Sequence, residues 1–359
     1  MIHQMEPWIG SEERIAVDAY LSGGGWLTEF RKTSEFAAMI AQYVGSKHAF
    51  IVSNGTVSLF TALVALGIGN GDEVIVPDYT MIATANAVQL AGARPVFVDV
   101  DPATLCLDLN ETERAVTSRT KAVLLVSING RAPDMLRIRQ WAQERGIALV
   151  EDAAQALGAR WNGQHLGTFG VIGSFSFSAP KIITTGQGGA LVTDSDELAS
   201  RIRKIRDFGR RDSGVDFHEC IGYNFKFTDL QAVVGLEQMK KLDYRVERKK
   251  QIFALYRKLL QDLNEITFLP TNLTEVPPWF IDVFVPDPAA LQGHLDRCGI
   301  GSRRFYPPIH SQPAYGQSGH FPHSEYASAH GLWLPSSSSL HDESIERICA
   351  EVRHFYARN

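Results

Sequence analysis

Between residues 35 and 240, short apolar runs bounded by Gly, Pro or Asp alternate with helix-like segments. Glu73–Pro77 (EVIVP), Arg94–Val100 (RPVFVDV), Lys121–Ser127 (KAVLLVS) and Ile147–Asp152 (IALVED) are short and rich in β-branched residues, the pattern of buried strands. Thr56–Leu66 and Asp134–Arg145 read as helices. In the second, Met135, Ile138 and Trp141 recur every three residues on one face, and Gly146 suits the C-terminal cap. Alternating strand and helix predicts an α/β fold with a mostly parallel sheet and helices on both faces. Two further strands, Ile172–Ser178 and Gly189–Thr193, flank a glycine-rich bend. The character changes near residue 240. A charged helix through DYRVERKKQIFALYRKLLQ leads to a strand at Trp279–Val285, a helix at Pro288–Cys298 and a last helix at Asp342–Tyr356. The pattern therefore predicts a large domain over residues 1–240 and a smaller α+β C-terminal domain over 241–359.

Composition narrows the function classes. The chain has 359 residues, 45% hydrophobic and 21% charged, an ordinary globular balance. Its formal net charge of -5 and the lack of a basic block give nucleic acid no footing. Nothing reaches 18 consecutive apolar residues, so no membrane span is expected, and no secretory signal is visible at the N-terminus. Cys106, Cys220, Cys298 and Cys349 are scattered without a C-x-x-C pair, which argues against a zinc site or a disulfide framework. The expectation is a cytoplasmic protein without a metal.

Four segments carry candidate chemistry. Ser53-Asn54-Gly55-Thr56 precedes a helix, where a polar cap and close backbone approach make an anion site, or a plain helix cap. Glu151-Asp152-Ala153-Ala154-Gln155 follows the strand IALV, where ligands collect in open α/β sheets, although Asp also serves as a cap. Ser176-Phe177-Ser178-Ala179-Pro180-Lys181 puts a lysine after a buried strand and a proline, where desolvation would lower its pKa and make it a nucleophile for a carbonyl. Thr184-Thr185-Gly186-Gln187-Gly188-Gly189 reads as a tight turn, or a simple hairpin. Singly each admits a structural reading. Together an anion cradle, a carboxylate and a lysine nucleophile are what pyridoxal phosphate needs.

At these residues the sequence resembles the DegT/DnrJ/EryC1/StrS sugar aminotransferases. The likeness is collinear: GWLTE near the start, VSNGTVSL, GDEVIVPDYTMIATANAV, VEDAAQALGA, LGTFGVIGSFSFSAPKIITTGQGGALVT, GYNFKFTDLQAVVGLEQ, RRFYPPIHSQPAY and LWLPSS. The resemblance implies PLP fold type I, aspartate aminotransferase-like, with pyridoxal 5'-phosphate as cofactor and a homodimer with shared active sites. It implies that Lys181 is the Schiff-base lysine and proton shuttle. Asp152 would pair with the pyridine nitrogen and Gln155 with the ring hydroxyl. Gly55, Thr56 and Ser176 would hold the phosphate, and Asn224 would reach the phosphate of the neighbouring subunit. His310, Phe30 and Arg31 fall at positions near the sugar.

The sequence departs from the family pattern around the pocket. Met81 stands where an aromatic ring usually stacks on the cofactor, and a thioether can lie against a π-face. Gln187 replaces a common glutamate. Ser127-Ile128-Asn129-Gly130 replaces H-L-Y-G, and Phe30 with Arg31 stand where smaller residues are frequent.

The expected activity is transfer of an amino group from L-glutamate to a nucleotide-linked keto-sugar. PWFIDV and RRFYPPIH are similar to perosamine-synthase-like members, which act on a GDP-linked 4-keto-6-deoxy sugar. Two other functions fit the fold: a B6-dependent sugar dehydratase, whose members carry His in place of the lysine, and a catalytically idle cofactor-binding sensor or partner protein.

Overall fold

The computed structural model describes residues 1–212 and 214–357. Two helices open it, α1 (Ser11–Ser22) and α2 (Arg31–Val44). The large region continues through β1 (His48–Val52), α3 (Gly55–Ala65), β2 (Glu73–Pro77), α4 (Ala83–Leu90), β3 (Arg94–Val98), α5 (Leu109–Ala115), β4 (Thr120–Val126), α6 (Met135–Glu144) and β5 (Ala148–Asp152). A short hairpin, β6 (Arg160–Trp161) and β7 (Gln164–His165), precedes β8 (Ile172–Ser176), β9 (Gly189–Thr193), α7 (Asp196–Arg206) and α8 (Asp229–Lys240). The remainder is α9 (Leu242–Leu260), β10 (Thr267–Phe268), β11 (Ile281–Phe284), α10 (Pro288–Arg297), β12 (Arg303–Arg304), α11 (Pro322–His330), β13 (Gly331–Leu334) and α12 (Asp342–Ala357).

The main sheet has seven strands in the order β1-β9-β8-β5-β4-β2-β3. The five from β8 to β3 pair in parallel, while β9 runs antiparallel to both neighbours. This is the α/β arrangement of PLP fold type I. Strands β2 and β9 are buried at every residue because helices cover both faces, which is why they read as continuous apolar runs. Helix α3 is buried nearly all round, with Leu59, Phe60 and Leu63 in the core; each such side chain contributes about 1.5–3 kcal/mol. Helix α6 buries Met135, Ile138 and Trp141, and Gly146 follows its C-cap at φ +63°.

The second sheet is antiparallel, in the order β10-β11-β13-β12, and packs with α9, α10 and α12 around Phe253, Ile281 and Ile348. Backbone bonds from Ile2 N to Gly299 O (2.9 Å) and from Gly301 N to Ile2 O (2.7 Å) tie the first residues to this region. Four strands end earlier than the apolar pattern suggested: β4 and β11 by one residue each, β3 and β8 by two. β3 stops at Val98, and Val100 instead bridges Leu107. β8 stops at Ser176, because the chain bends through Ser178–Pro180 toward Lys181. No helix among the described residues is long and apolar enough to cross a membrane.

Candidate active site

β1 is antiparallel to β9, and β9 to β8, so β1, β2, β5 and β8 all point the same way. Their carboxyl ends lie along one sheet edge, where open α/β sheets bind ligands. Segments more than a hundred residues apart in sequence meet there around a cavity of about 550 Å³. Gly55, Thr56, Met81, Asp152, Gln155, Ser176 and Lys181 all line it.

At one end lies the first turn of α3. Asn54 caps it, its Oδ1 accepting from Val57 N at 2.9 Å. By helix geometry the N–H groups of Gly55 and Thr56 are left without intrahelical acceptors, which favours an anion. A Cβ on Gly55 would lie 3.0 Å from Ser176 Cβ, and one on Gly189 only 2.6 Å from the Asn54 carbonyl carbon. Glycine at both positions lets three backbone segments close up, bringing the Ser176 hydroxyl beside the helix start.

Opposite charges occupy the middle of the cavity. Asp152 accepts from Thr84 Oγ1 (2.8 Å) and, through Oδ1, from Ala154 N (3.2 Å). Burial raises its pKa, opposed by those two hydrogen bonds and by the charge of Lys181. Burial also draws the Lys181 ammonium down to about 8, against the pull of Asp152. Its Nζ rests 3.8 Å from the centroid of the Trp279 ring, and the indole Nε1 donates to Pro180 O at 2.7 Å. The indole thus braces both the lysine and the bend that presents it. Gln155 Oε1 accepts from Asn129 N (2.8 Å), leaving its amide nitrogen for another partner. Asn129, at φ +54°, also exchanges two hydrogen bonds with the Phe280 backbone, of 2.9 and 2.6 Å. That loop, which replaces H-L-Y-G, ties the cavity wall to the start of β11.

Other predicted residues lie outside the cavity. Asn224 is exposed and forms an isolated bridge with Asp207. Phe30 caps α2 and is exposed, its ring stacked on Trp26 at 5.5 Å with the Arg31 guanidinium 5.3 Å above it. Buried Asp229 fixes this corner by accepting from the backbone N–H groups of Phe30, Lys32 and Thr33. His310 is engaged elsewhere: Nδ1 lies 2.6 Å from Asp78 Oδ2, its backbone N–H donates to Asp78 Oδ1 (2.8 Å), and the ring stacks on Phe321 at 4.6 Å. It fastens the segment after β12 to the end of β2.

The cavity also contains Thr80, Gln187, Trp279, Arg303 and Tyr306. Of these, Thr80, Trp279, Arg303 and Tyr306 carry no role in the sequence pattern, nor does Thr84 behind Asp152. The segments PDYT, PWFIDV and RRFY contained the signal, since each ends or begins a strand-like run.

The donor set fits pyridoxal phosphate: an anion cradle at α3, a buried carboxylate and a desolvated amine share one cavity. Because the amine is neutral only above its lowered pKa, covalent loading of apoprotein should accelerate as pH rises toward about 8 and level off beyond it. Following the visible absorbance after mixing across pH would check this; a rate that keeps climbing to the ordinary lysine range would contradict it.

The DegT/DnrJ/EryC1/StrS aminotransferase family matches residues 7–353. A GDP-perosamine synthase from Caulobacter vibrioides is 37% identical, with 89% of this chain and 88% of that protein aligned. A pleiotropic regulatory protein from Geobacillus stearothermophilus is 34% identical over 89% of this chain and 88% of its own length. Among solved structures, the aminotransferase TlmJ from Streptoalloteichus hindustanus superposes with a TM-score of 0.95 at 33% identity, covering 100% of this chain and 99% of that one.

Proposed function

The chain belongs to the DegT/DnrJ/EryC1/StrS aminotransferase family, whose cofactor is pyridoxal phosphate, and from that premise we propose that it moves an amino group from L-glutamate to a nucleotide-linked 4-keto-6-deoxyhexose, giving a GDP-perosamine-type product. The single observation that carries the chemistry is the shared cavity of Lys181, Asp152 and the α3 N-terminus. The 37% identity to a GDP-perosamine synthase supports the sugar and nucleotide.

The residues divide the work. The N–H groups of Gly55 and Thr56, with the hydroxyls of Thr56 and Ser176, would hold the phosphate. Gln155 would contact the ring hydroxyl, and Met81 would lie against the ring. Asp152, kept in place by Thr84, would hold a proton on the ring nitrogen. When bound, the cofactor supplies an aldehyde and a ring that withdraws electrons from the carbon carrying the amino group. Lys181 Nζ is the group able to take a proton from that substrate carbon and return it. Trp279 and Tyr306, which also line the cavity, would shield the amine from water.

The proposal includes a cytoplasmic homodimer with shared sites. The exposure of Asn224, Phe30 and Arg31 supports it, since they do not line the cavity of their own chain and would act across the interface. Lys181 weighs against the dehydratase. The Geobacillus stearothermophilus regulatory relative supports one other reading, a cofactor-binding regulator without turnover. The test is to add glutamate to the yellow holoprotein and then screen GDP-, UDP- and dTDP-linked keto-sugars by mass. Glutamate should bleach the visible band and the GDP-linked 4-keto-6-deoxyhexose should gain an amino group. A band unmoved by glutamate would favour the regulator.

A further inference from the structure

Outside the cavity lining, in the second-sheet region, three side chains of ligand type converge. His294 and Cys298 lie four residues apart at the C-terminal end of α10, so both face the same side. Glu351 reaches them from α12. His294 Nε2 is 3.8 Å from Cys298 Sγ and 3.4 Å from Glu351 Oε2, and Cys298 Sγ is 3.3 Å from the same carboxylate oxygen. Around a tetrahedral zinc with ordinary bond lengths, N–S, N–O and S–O donor separations come to about 3.6, 3.4 and 3.6 Å. The three observed edges each agree with these to about 0.3 Å. Among the described residues this is the one group of three such ligands close enough to share an ion.

Charge and access agree with the geometry. A thiolate and a carboxylate balance a divalent zinc, with imidazole neutral, so the half-buried site would carry no net charge. The side chains of His294 and Glu351 are 16% and 30% exposed, which leaves a path for the ion and room for water as fourth ligand. Arg347 donates to the Cys298 carbonyl at 2.8 Å and holds the end of α10 against α12.

We propose that His294, Cys298 and Glu351 form a three-ligand zinc site that clips the C-terminal helix α12 to α10. The ion would be structural, because the trio shares no residue with the cofactor cavity.

Untagged holoprotein incubated with zinc chloride and desalted should retain one zinc per chain by elemental mass spectrometry. Cys298→Ser, Glu351→Gln and His294→Ala should each lose it, whereas Cys220→Ser should keep it. Cobalt(II) in its place should give the intense visible bands of a tetrahedral thiolate complex, absent in Cys298→Ser. Zinc should raise the melting temperature of the parent and Cys220→Ser proteins alone, with aminotransferase rates alike in all that fold. No retained zinc in the parent protein, or equal retention in Cys298→Ser, would overturn the site; should one variant fail to fold, the cobalt spectrum of the parent decides alone.

Discussion

Lys181→Ala should lose turnover entirely, by more than about 10⁴-fold, since in the proposed mechanism both covalent attachment and proton movement at the substrate carbon depend on this amine. The fold should survive. Among the described residues no carboxylate lies within ion-pair distance of Nζ, and burial disfavours its charge, so truncation removes a desolvated group rather than a structural bond. What is lost structurally is the contact with the Trp279 face, worth about 0.5–2 kcal/mol. The cofactor should still bind without a covalent link, held at the α3 N-terminus. The measurements are the glutamate half-reaction, the visible spectrum and the melting temperature. Residual turnover at a tenth of the parent rate would remove Lys181 from its role.

Asp152→Asn is expected to leave the protein folded and loaded with cofactor yet slower by roughly 10²–10³-fold, the usual effect of deleting one preorganised electrostatic partner. The substitution keeps the volume. Its amide oxygen can take the Ala154 N–H, and the Thr84 hydroxyl can turn to accept from the new NH₂, so neither bond at 152 is left buried and unmade. The charge proposed to hold a proton on the ring nitrogen is gone, and Thr84 with Thr80 behind it, both neutral hydroxyls, cannot replace it. Glutamate half-reaction rates at saturating cofactor test this. A rate within threefold of the parent would show that Asp152 does not partner the ring.

The legible parts of this protein share one physical cause. In a parallel sheet every strand ends at the same edge, so motifs placed just after EVIVP, IALVED and IGSFS are brought together whatever their distance along the chain. Strand β2 matches its predicted bounds residue for residue, because burial on both faces makes Val74–Pro77 apolar throughout and its one charged residue, Glu73, is buried at the first position, paired with Arg94 and Arg119. The same logic did not extend to α2, although Phe36, Ile40 and Val44 recur every four residues and are buried; its polar partners Lys32, Ser34 and Glu35 masked the face. Helix α1 buries only Glu13, which Lys241 pairs at 2.8 Å, so its apolar signal is weak.

Contacts made across the two sheets were not legible. Trp279 meets Lys181 only because the segment before β11 is held from behind, where buried Lys249 on α9 donates to the Trp279 carbonyl at 2.7 Å and to that of Ser336. Nothing in the spacing of those residues announces the contact. Nor does PPIH announce the contact of His310 with Asp78, a residue 232 positions away in sequence. The trio of His294, Cys298 and Glu351 is not legible for a related reason: no C-x-x-C pair marks it, and its one cysteine stands with a histidine a helical turn earlier and a glutamate on another helix.

Everything rests on a primary amine at position 181 that captures an aldehyde cofactor in the cavity at the sheet edge. The direct measurement is to reduce the loaded protein with borohydride, digest it and map the modified peptide by mass spectrometry. The pyridoxyl phosphate adduct should be confined to Lys181. An adduct on any other lysine, or none after loading, would contradict it.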